Sequence, residues 1–254
     1  RASAVALPWL TLDRALFAVI LLFGLFIRWI SLGEAPLNPD ESQRALAAWQ
    51  LGSSTAPEWW DAPAYVLALA ATFFTFGDNE TVARSVALVA GVLTIAGLRV
   101  FREWLGALPL LVAAGLVVLS PMHWAASRTN SEETLAALLT MALLWGLLRF
   151  NDEYHPLYRP LTATGLAVLI NLGAAGITGV LVLALGTAAV YAVQPQGLPS
   201  PLLFRVLVSR PLSRSLLPFL SVFVLLTTGF FLNLKGFGLP SLPAWVQSAA
   251  PVSG

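Results

Sequence analysis

Apolar runs broken by short polar stretches set the plan of this chain. Residues 14–32 are apolar apart from Arg14, Arg28 and Ser31 and are long enough to cross a bilayer as one helix. The break that follows contains Leu37-Asn38-Pro39-Asp40-Glu41-Ser42-Gln43-Arg44. Asn38 as N-cap, Pro39 in the first helical position and two acids in the first turn predict a helix from Pro39 to about Gly52. Leu46, Trp49 and Ala45 fall on one of its faces. Glu58-Trp59-Trp60-Asp61 suits a membrane interface, and Asp61 before Pro63 suits a helix cap. Residues 63–76 are apolar but short for a span and predict an interfacial or re-entrant helix, ended by the turn Gly77-Asp78-Asn79-Glu80.

Full spans are expected over 81–99, 105–124 (ended by Ser120-Pro121) and 134–148. Between them lie a charged turn at Arg99 and Arg102 and a polar loop from Ser127 to Glu133. The uncharged run 160–193 is too long for one helix across a bilayer. It predicts two short spans bent near Gly176-Ile177-Thr178-Gly179, those glycines serving packing or the bend. A proline-rich loop over 194–213, a last span over 216–234 and a Gly/Pro-rich tail from Lys235 complete the pattern. The prediction is an all-α polytopic membrane protein of about seven transmembrane helices. It forms a single transmembrane domain, 1–254, with interfacial helices in a first outer loop at 33–80.

Composition sharpens this. Of 254 residues 57% are hydrophobic and 11% charged, against roughly 25% charged in soluble domains. A net charge of +1 offers nothing to nucleic acid. With no cysteine there is no thiol chemistry, and His123 and His155 are too far apart for a zinc motif. The first apolar run is too long for a signal-peptide core and reads as a signal-anchor. The opening at Arg1 rather than Met, and a carboxyl end without a terminal signature, point to the N-terminal part of a longer protein.

Arginines in short loops mark the cytoplasmic side. Arg99 and Arg102, Arg149 and Arg159, and Arg205, Arg210 and Arg214 share a side only if 63–76 does not cross. On that reading the protein sits in the plasma (inner) membrane. Asp40, Glu41 and Arg44 then face the same extracytoplasmic surface as Arg128, Glu132 and Glu133.

Those residue types carry a chemistry. A carboxylate beside a hydroxyl acts as a general base, and a guanidinium holds a phosphate oxygen. Together they can move a sugar from a polyprenyl phosphate to an acceptor hydroxyl. The acids could instead hold a divalent cation through oxygen ligands. The plainer alternative is that Glu58, Asp61, Asp78, Glu80, Glu132 and Glu133 solvate a surface, and that acids at a helix start favour its dipole. Arg84, early in a span, either faces a cavity or snorkels, as does Arg28, and His123 beside Trp124 suits an interface.

Several stretches, in order, resemble the GT-C superfamily of membrane glycosyltransferases, which includes the protein O-mannosyltransferases, the aminoarabinose transferases of lipid A and archaeal members. They are Pro39-Asp40-Glu41 after a first span, Ala62-Pro63-Ala64-Tyr65 to Phe76-Gly77 with Glu80 and Arg84, and Leu119-Ser120-Pro121 through Ser127-Arg128 with acids beyond. Thr227-Thr228-Gly229-Phe230-Phe231-Leu232-Asn233 with Gly236 is similar to the archaeal group. The resemblance implies a lipid-linked sugar donor, an outward-facing site and an acid in the first outer loop. That acid would be Asp40 with Glu41 beside it. Glu132 or Glu133 would be the second-loop acid, and Arg128 would meet the donor phosphate, with Arg84 and Arg44 nearby. Such enzymes usually continue into further spans and often an outer soluble domain. The alternative is therefore a non-catalytic, GT-C-derived structural subunit of a larger membrane complex, its half-fold a scaffold that holds lipids or pigments.

Overall fold

The computed structural model describes residues 11–53, 57, 61–153, 158–193 and 213–229. Among them every regular element is helical and no strand occurs. Glu58-Trp59-Trp60, the loop with Arg205 and Arg210, and the tail from Lys235 lie outside the described residues.

Helix α1 covers Leu12–Trp29. Helix α2 covers Pro39–Gly52 and starts as its sequence predicts. The Asn38 side chain accepts from the Glu41 N–H, the Glu41 carboxylate accepts from the Asn38 N–H, and Pro39 occupies the first turn. Helix α3 is Pro63–Phe76, and its N-cap is Ala62 with no side-chain cap, so Asp61 does not serve there. Helix α4 (Glu80–Gly97) is capped by Asn79. It continues through a 3-10 turn (Leu98–Phe101) into α5 (Arg102–Leu105).

The expected charged turn at Arg99 and Arg102 is therefore helical. Nothing between Glu80 and Leu105 stops a helix until Gly106, which takes a φ of +81°. This stretch, Glu80–Leu105, is the one of the described residues long and apolar enough to cross a membrane.

Then come α6 (Ala107–Leu119), α7 (Pro121–Ala126), α8 (Glu133–Glu153), α9 (Tyr158–Ile170), α10 (Gly173–Val193) and α11 (Ser213–Thr227). Helix α8 runs past the expected end at 148, because no proline or glycine follows Gly146 within it.

The longer helices alternate in direction. A Cβ on Gly33 would meet Thr81 and one on Gly24 would meet Ile95, so α1 and α4 run antiparallel. Gly24 also meets Val118, and Phe17 clusters with Leu110, so α6 returns parallel to α1. Thr134 donates to the Ala87 carbonyl at 2.9 Å and Gly97 abuts Met141, so α8 follows α4. Gly165 meets Leu143 and Gly146 meets Thr162, so α9 reverses α8. Gly179 meets Thr140, which sets α10 along α8. Thr227 Oγ1 bonds Asn171 Oδ1 at 2.9 Å, so α11 ends where α9 ends.

The bundle thus has two ends. The loop end gathers the exits of α1, α9 and α11, the starts of α4, α8 and α10, and helix α2. The arginine end carries Arg14, Arg99, Arg102 and Arg149.

The bend in 160–193 falls at Asn171-Leu172-Gly173, not at Gly176–Gly179. Gly173 takes the left-handed turn, with a φ of +66°. Gly176 and Gly179 are helical and permit close packing. A Cβ on Gly176 would run into the Leu169 carbonyl oxygen, and one on Gly179 into Thr140 Oγ1. Gly176→Ala should destabilise the bundle by about 2–4 kcal/mol, since the obstacle is backbone that cannot rotate away. Thermal unfolding in detergent checks this, with Gly186→Ala, which meets nothing within 4 Å, as the silent control.

The core that holds the loop end combines Ala47, Ala48 and Leu51 of α2, Tyr65, Val66 and Leu69 of α3, Ala136 and Leu143 of α8, and Leu169 of α9. Leu46 and Trp49 share the opposite face of α2 and are 53% and 54% exposed.

Candidate active site at the loop end

Helix α2 lies across the loop end and presents Asp40, Glu41 and Arg44 within its first two turns. Their fates differ. Glu41 is 2% exposed. One carboxylate oxygen accepts from Arg84 Nε at 2.9 Å and from the Asn130 N–H at 2.7 Å. The other accepts from Arg84 Nη2 at 3.0 Å and from the Asn38 N–H at 3.0 Å. Arg84 spends its remaining donors on the carbonyls of Leu32, Ala35 and Pro36. It faces inward rather than snorkelling, and ties α4 to both the exit of α1 and the start of α2.

Asn130 donates its side-chain amide to the Glu41 carbonyl at 3.0 Å and accepts from the Tyr65 hydroxyl at 2.8 Å. Burial holds the Tyr65 phenol above its ordinary value, so it remains a neutral donor. The Glu41–Arg84 pair therefore joins four segments: the exit of α1, α2, α4 and the loop before α8. Tyr65 adds α3 through Asn130.

The acids and arginine at the start of α2 and the Arg128–Glu133 segment thus meet at a single end of the bundle. Arg44 and Glu132 form an ion pair at 3.0 Å. Arg44 also reaches the Asn130 carbonyl at 3.4 Å. Glu133 is exposed in the first turn of α8.

Two proposed site residues have other employment. Both oxygens of Glu41 are saturated, which leaves no basic lone pair facing a substrate and no vertex for a cation. Arg128 donates to the carbonyls of Ile27, Arg28, Ile30 and Ser31, capping the carboxyl end of α1 where the helix dipole is negative. Its guanidinium also lies 5.0 Å from the Trp124 ring. Asp40 is different: it is exposed, and among the described residues nothing holds its carboxylate.

Within the bundle Arg28 is fully buried. It donates to the Gly24 carbonyl at 3.0 Å and to His123 Nδ1 at 2.9 Å. His123 therefore pairs with α1 rather than resting at an interface.

Sequence reading missed Asn130, Tyr65 and the Arg28–His123 contact. Only Arg28, a lone charge in an apolar run, carried a signal. Among the described residues no group of three or more His, Cys, Asp or Glu is placed to hold a metal ion. Compared with family models, curated proteins and solved structures, the chain matches none.

The two buried acids titrate in opposite senses. Burial pushes the Glu41 carboxyl up, but the Arg84 hydrogen bonds and the Asn38 and Asn130 N–H groups outweigh it, and the net shift is downward from 4.5. Burial also pushes up Glu132, and there it prevails over Arg44, so the net shift is upward. The nearby Glu133 carboxylate adds to that upward push. Glu41 thus contributes stability that is present above about pH 4.5 and lost as pH falls through its folded value. Glu132 contributes with the reverse sign, gaining as pH falls. Glu132→Gln should therefore remove a rise in stability that the wild type shows as pH falls towards about 4.5, and leave the loss below that value to Glu41, read as unfolding temperature against pH.

Proposed function

We propose that the chain is a polytopic membrane protein of GT-C type that transfers a sugar from a polyprenyl-phosphate donor to an acceptor hydroxyl. The observation that carries this reading is the contrast between neighbours in α2, with Glu41 locked into the fold and Asp40 exposed beside it at the same loop end. Two features support the membrane placement. Large apolar side chains face outward along the bundle, among them Leu22, Phe26, Leu108, Leu116, Leu161 and Leu185. Arg14, Arg99, Arg102 and Arg149 gather at one end, while the arginines of the other, Arg44, Arg84 and Arg128, are tied to carboxylates or to the carbonyls of α1, which suits a cytoplasmic arginine end. Seven helices of alternating direction then cross, and α3 lies along the outer surface.

In the proposed reaction Asp40 accepts the proton of the acceptor hydroxyl as its oxygen forms a bond to the anomeric carbon. The bond from that carbon to the phosphate oxygen breaks on the opposite face, and its electron pair leaves with the polyprenyl phosphate. The anomeric centre is inverted. Arg44, four residues after Asp40 on the same face of α2, is the guanidinium that would meet the phosphate, exchanging its pairing with Glu132 for the phosphate oxygens. Glu41, whose oxygens are filled by four hydrogen bonds, offers no ligand to a divalent cation.

The test is Asp40→Asn in membranes supplied with polyprenyl-phosphate-linked hexoses. Transfer is lost while membrane levels of the protein match wild type. Full retention of transfer rules the mechanism out.

A second reading has an observation in its favour. Glu41, Arg84, Asn130 and Arg128 are all consumed in holding helices together, which suits a non-catalytic subunit of a larger membrane complex. Purification of the chain within a stable assembly that tolerates Asp40→Asn favours that reading.

A further inference from the structure

At the arginine end, opposite the proposed active site, a cavity of about 540 Å³ opens between the 3-10 turn, α5, the start of α6 and α8. Arg99, Arg102 and Arg149 line it, with Glu103 as the one acid among its lining residues. Aromatic rings and carboxylates hold these side chains in place. Arg99 lies over Phe17 at 5.5 Å and Arg149 over Trp104 at 5.4 Å. Arg102 pairs with Asp13 at 2.7 Å, and Arg149 with Glu103 at 2.9 Å.

The charges do not cancel. The Glu103 side chain is 64% exposed, so water screens its pairing with Arg149. Among the described residues no carboxylate pairs with Arg99. A cavity with surplus guanidinium charge suits an anion, and the planar fork of arginine matches phosphate oxygens.

The rim selects the source of that phosphate. Val100 lines the cavity and is 42% exposed, and Leu105 and Leu108, the chain neighbours of the lining residues Gly106 and Ala107, are 46% and 72% exposed. A soluble anion makes no use of such a rim, whereas acyl chains would lie along it. We propose that this cavity binds the phosphate of an anionic phospholipid headgroup, with the acyl chains against Val100, Leu105 and Leu108. Basic pockets between helices on the cytoplasmic side take such headgroups in general. The inference rests on the membrane placement proposed above and is independent of the transfer chemistry.

The experiment titrates the full chain, purified in detergent, with phosphatidylglycerol alone and then in competition with phosphatidylcholine or inorganic phosphate, read by native mass spectrometry. Phosphatidylglycerol should bind saturably and phosphatidylcholine should not compete. Arg99→Gln should weaken phosphatidylglycerol binding roughly fivefold to tenfold, and Glu103→Gln should tighten it. Arg14→Gln, at the same end but outside the cavity, should change nothing. Equal loss in Arg14→Gln and Arg99→Gln overturns the site, as does an absence of tightening in Glu103→Gln. Displacement of the lipid by inorganic phosphate with the same Arg99 dependence reassigns the cavity to a soluble anion and overturns the lipid. Alkaline washing of vesicles that carry the protein separates the two failures. A chain that washes off ends the membrane reading as well, whereas one that resists washing yet lacks the Arg99 dependence ends the lipid site alone.

Discussion

Glu41→Gln is expected to lower stability by about 3–5 kcal/mol, the loss that follows removal of one partner from a buried ion pair. The position explains the size. Two carboxylate oxygens accept four hydrogen bonds, from Arg84 Nε, Arg84 Nη2, the Asn130 N–H and the Asn38 N–H. A glutamine keeps one acceptor oxygen and turns an NH2 towards two of those donors. The Arg84 guanidinium, 5% exposed as a residue, is left with neutral carbonyls and no counter-charge. Thermal unfolding in detergent measures the effect, together with Arg84→Gln and the double variant. The two single losses should sum to more than the double loss, because the pair disappears once in each. An unfolding temperature for Glu41→Gln equal to wild type would show that the loop end is held by something else.

How far the sequence foretold this depends on the distance over which each feature is decided. The start of α2 is decided within four residues by Asn38, Pro39 and Glu41, so it could be read directly. That the acids of α2 divide between structure and surface could not. The partners of Glu41 are Arg84 and Asn130, 43 and 89 residues away, and no local pattern links them.

Arg84 was visible as a charge in an apolar run, but whether it faced inward depended on carbonyls at Leu32, Ala35 and Pro36, which carry no sequence signal. The glycines of 160–193 show a different kind of ambiguity. Gly173, Gly176 and Gly179 look alike in sequence, and only contact with Asp61, Leu169 and Thr140 separates the one that turns the chain from the two that permit close approach. Arg128 was conspicuous because it stood near acids. Its role as a cap on α1 follows from where the helix ends, and the sequence does not say that its last carbonyls lie beside α7.

Asp40→Asn is expected to give the opposite signature to its neighbour: a large loss of transfer with little loss of fold. Removal of a general base costs about 10²–10⁴ in rate, whereas the stability at stake is small. Asn38 still caps α2 and Pro39 still opens it. The substitution removes one exposed charge from the first turn, worth about 0.3–1 kcal/mol through the helix dipole. The rate and the unfolding temperature of each variant therefore form a pair of measurements. Asp40→Asn moves the first and spares the second, while Glu41→Gln moves the second and affects the first only through the folded fraction. If both variants lose transfer only in proportion to unfolding, α2 is a strut and the scaffold reading gains. If Asp40→Asn alone loses transfer at full stability, the exposed carboxylate at the loop end is the base.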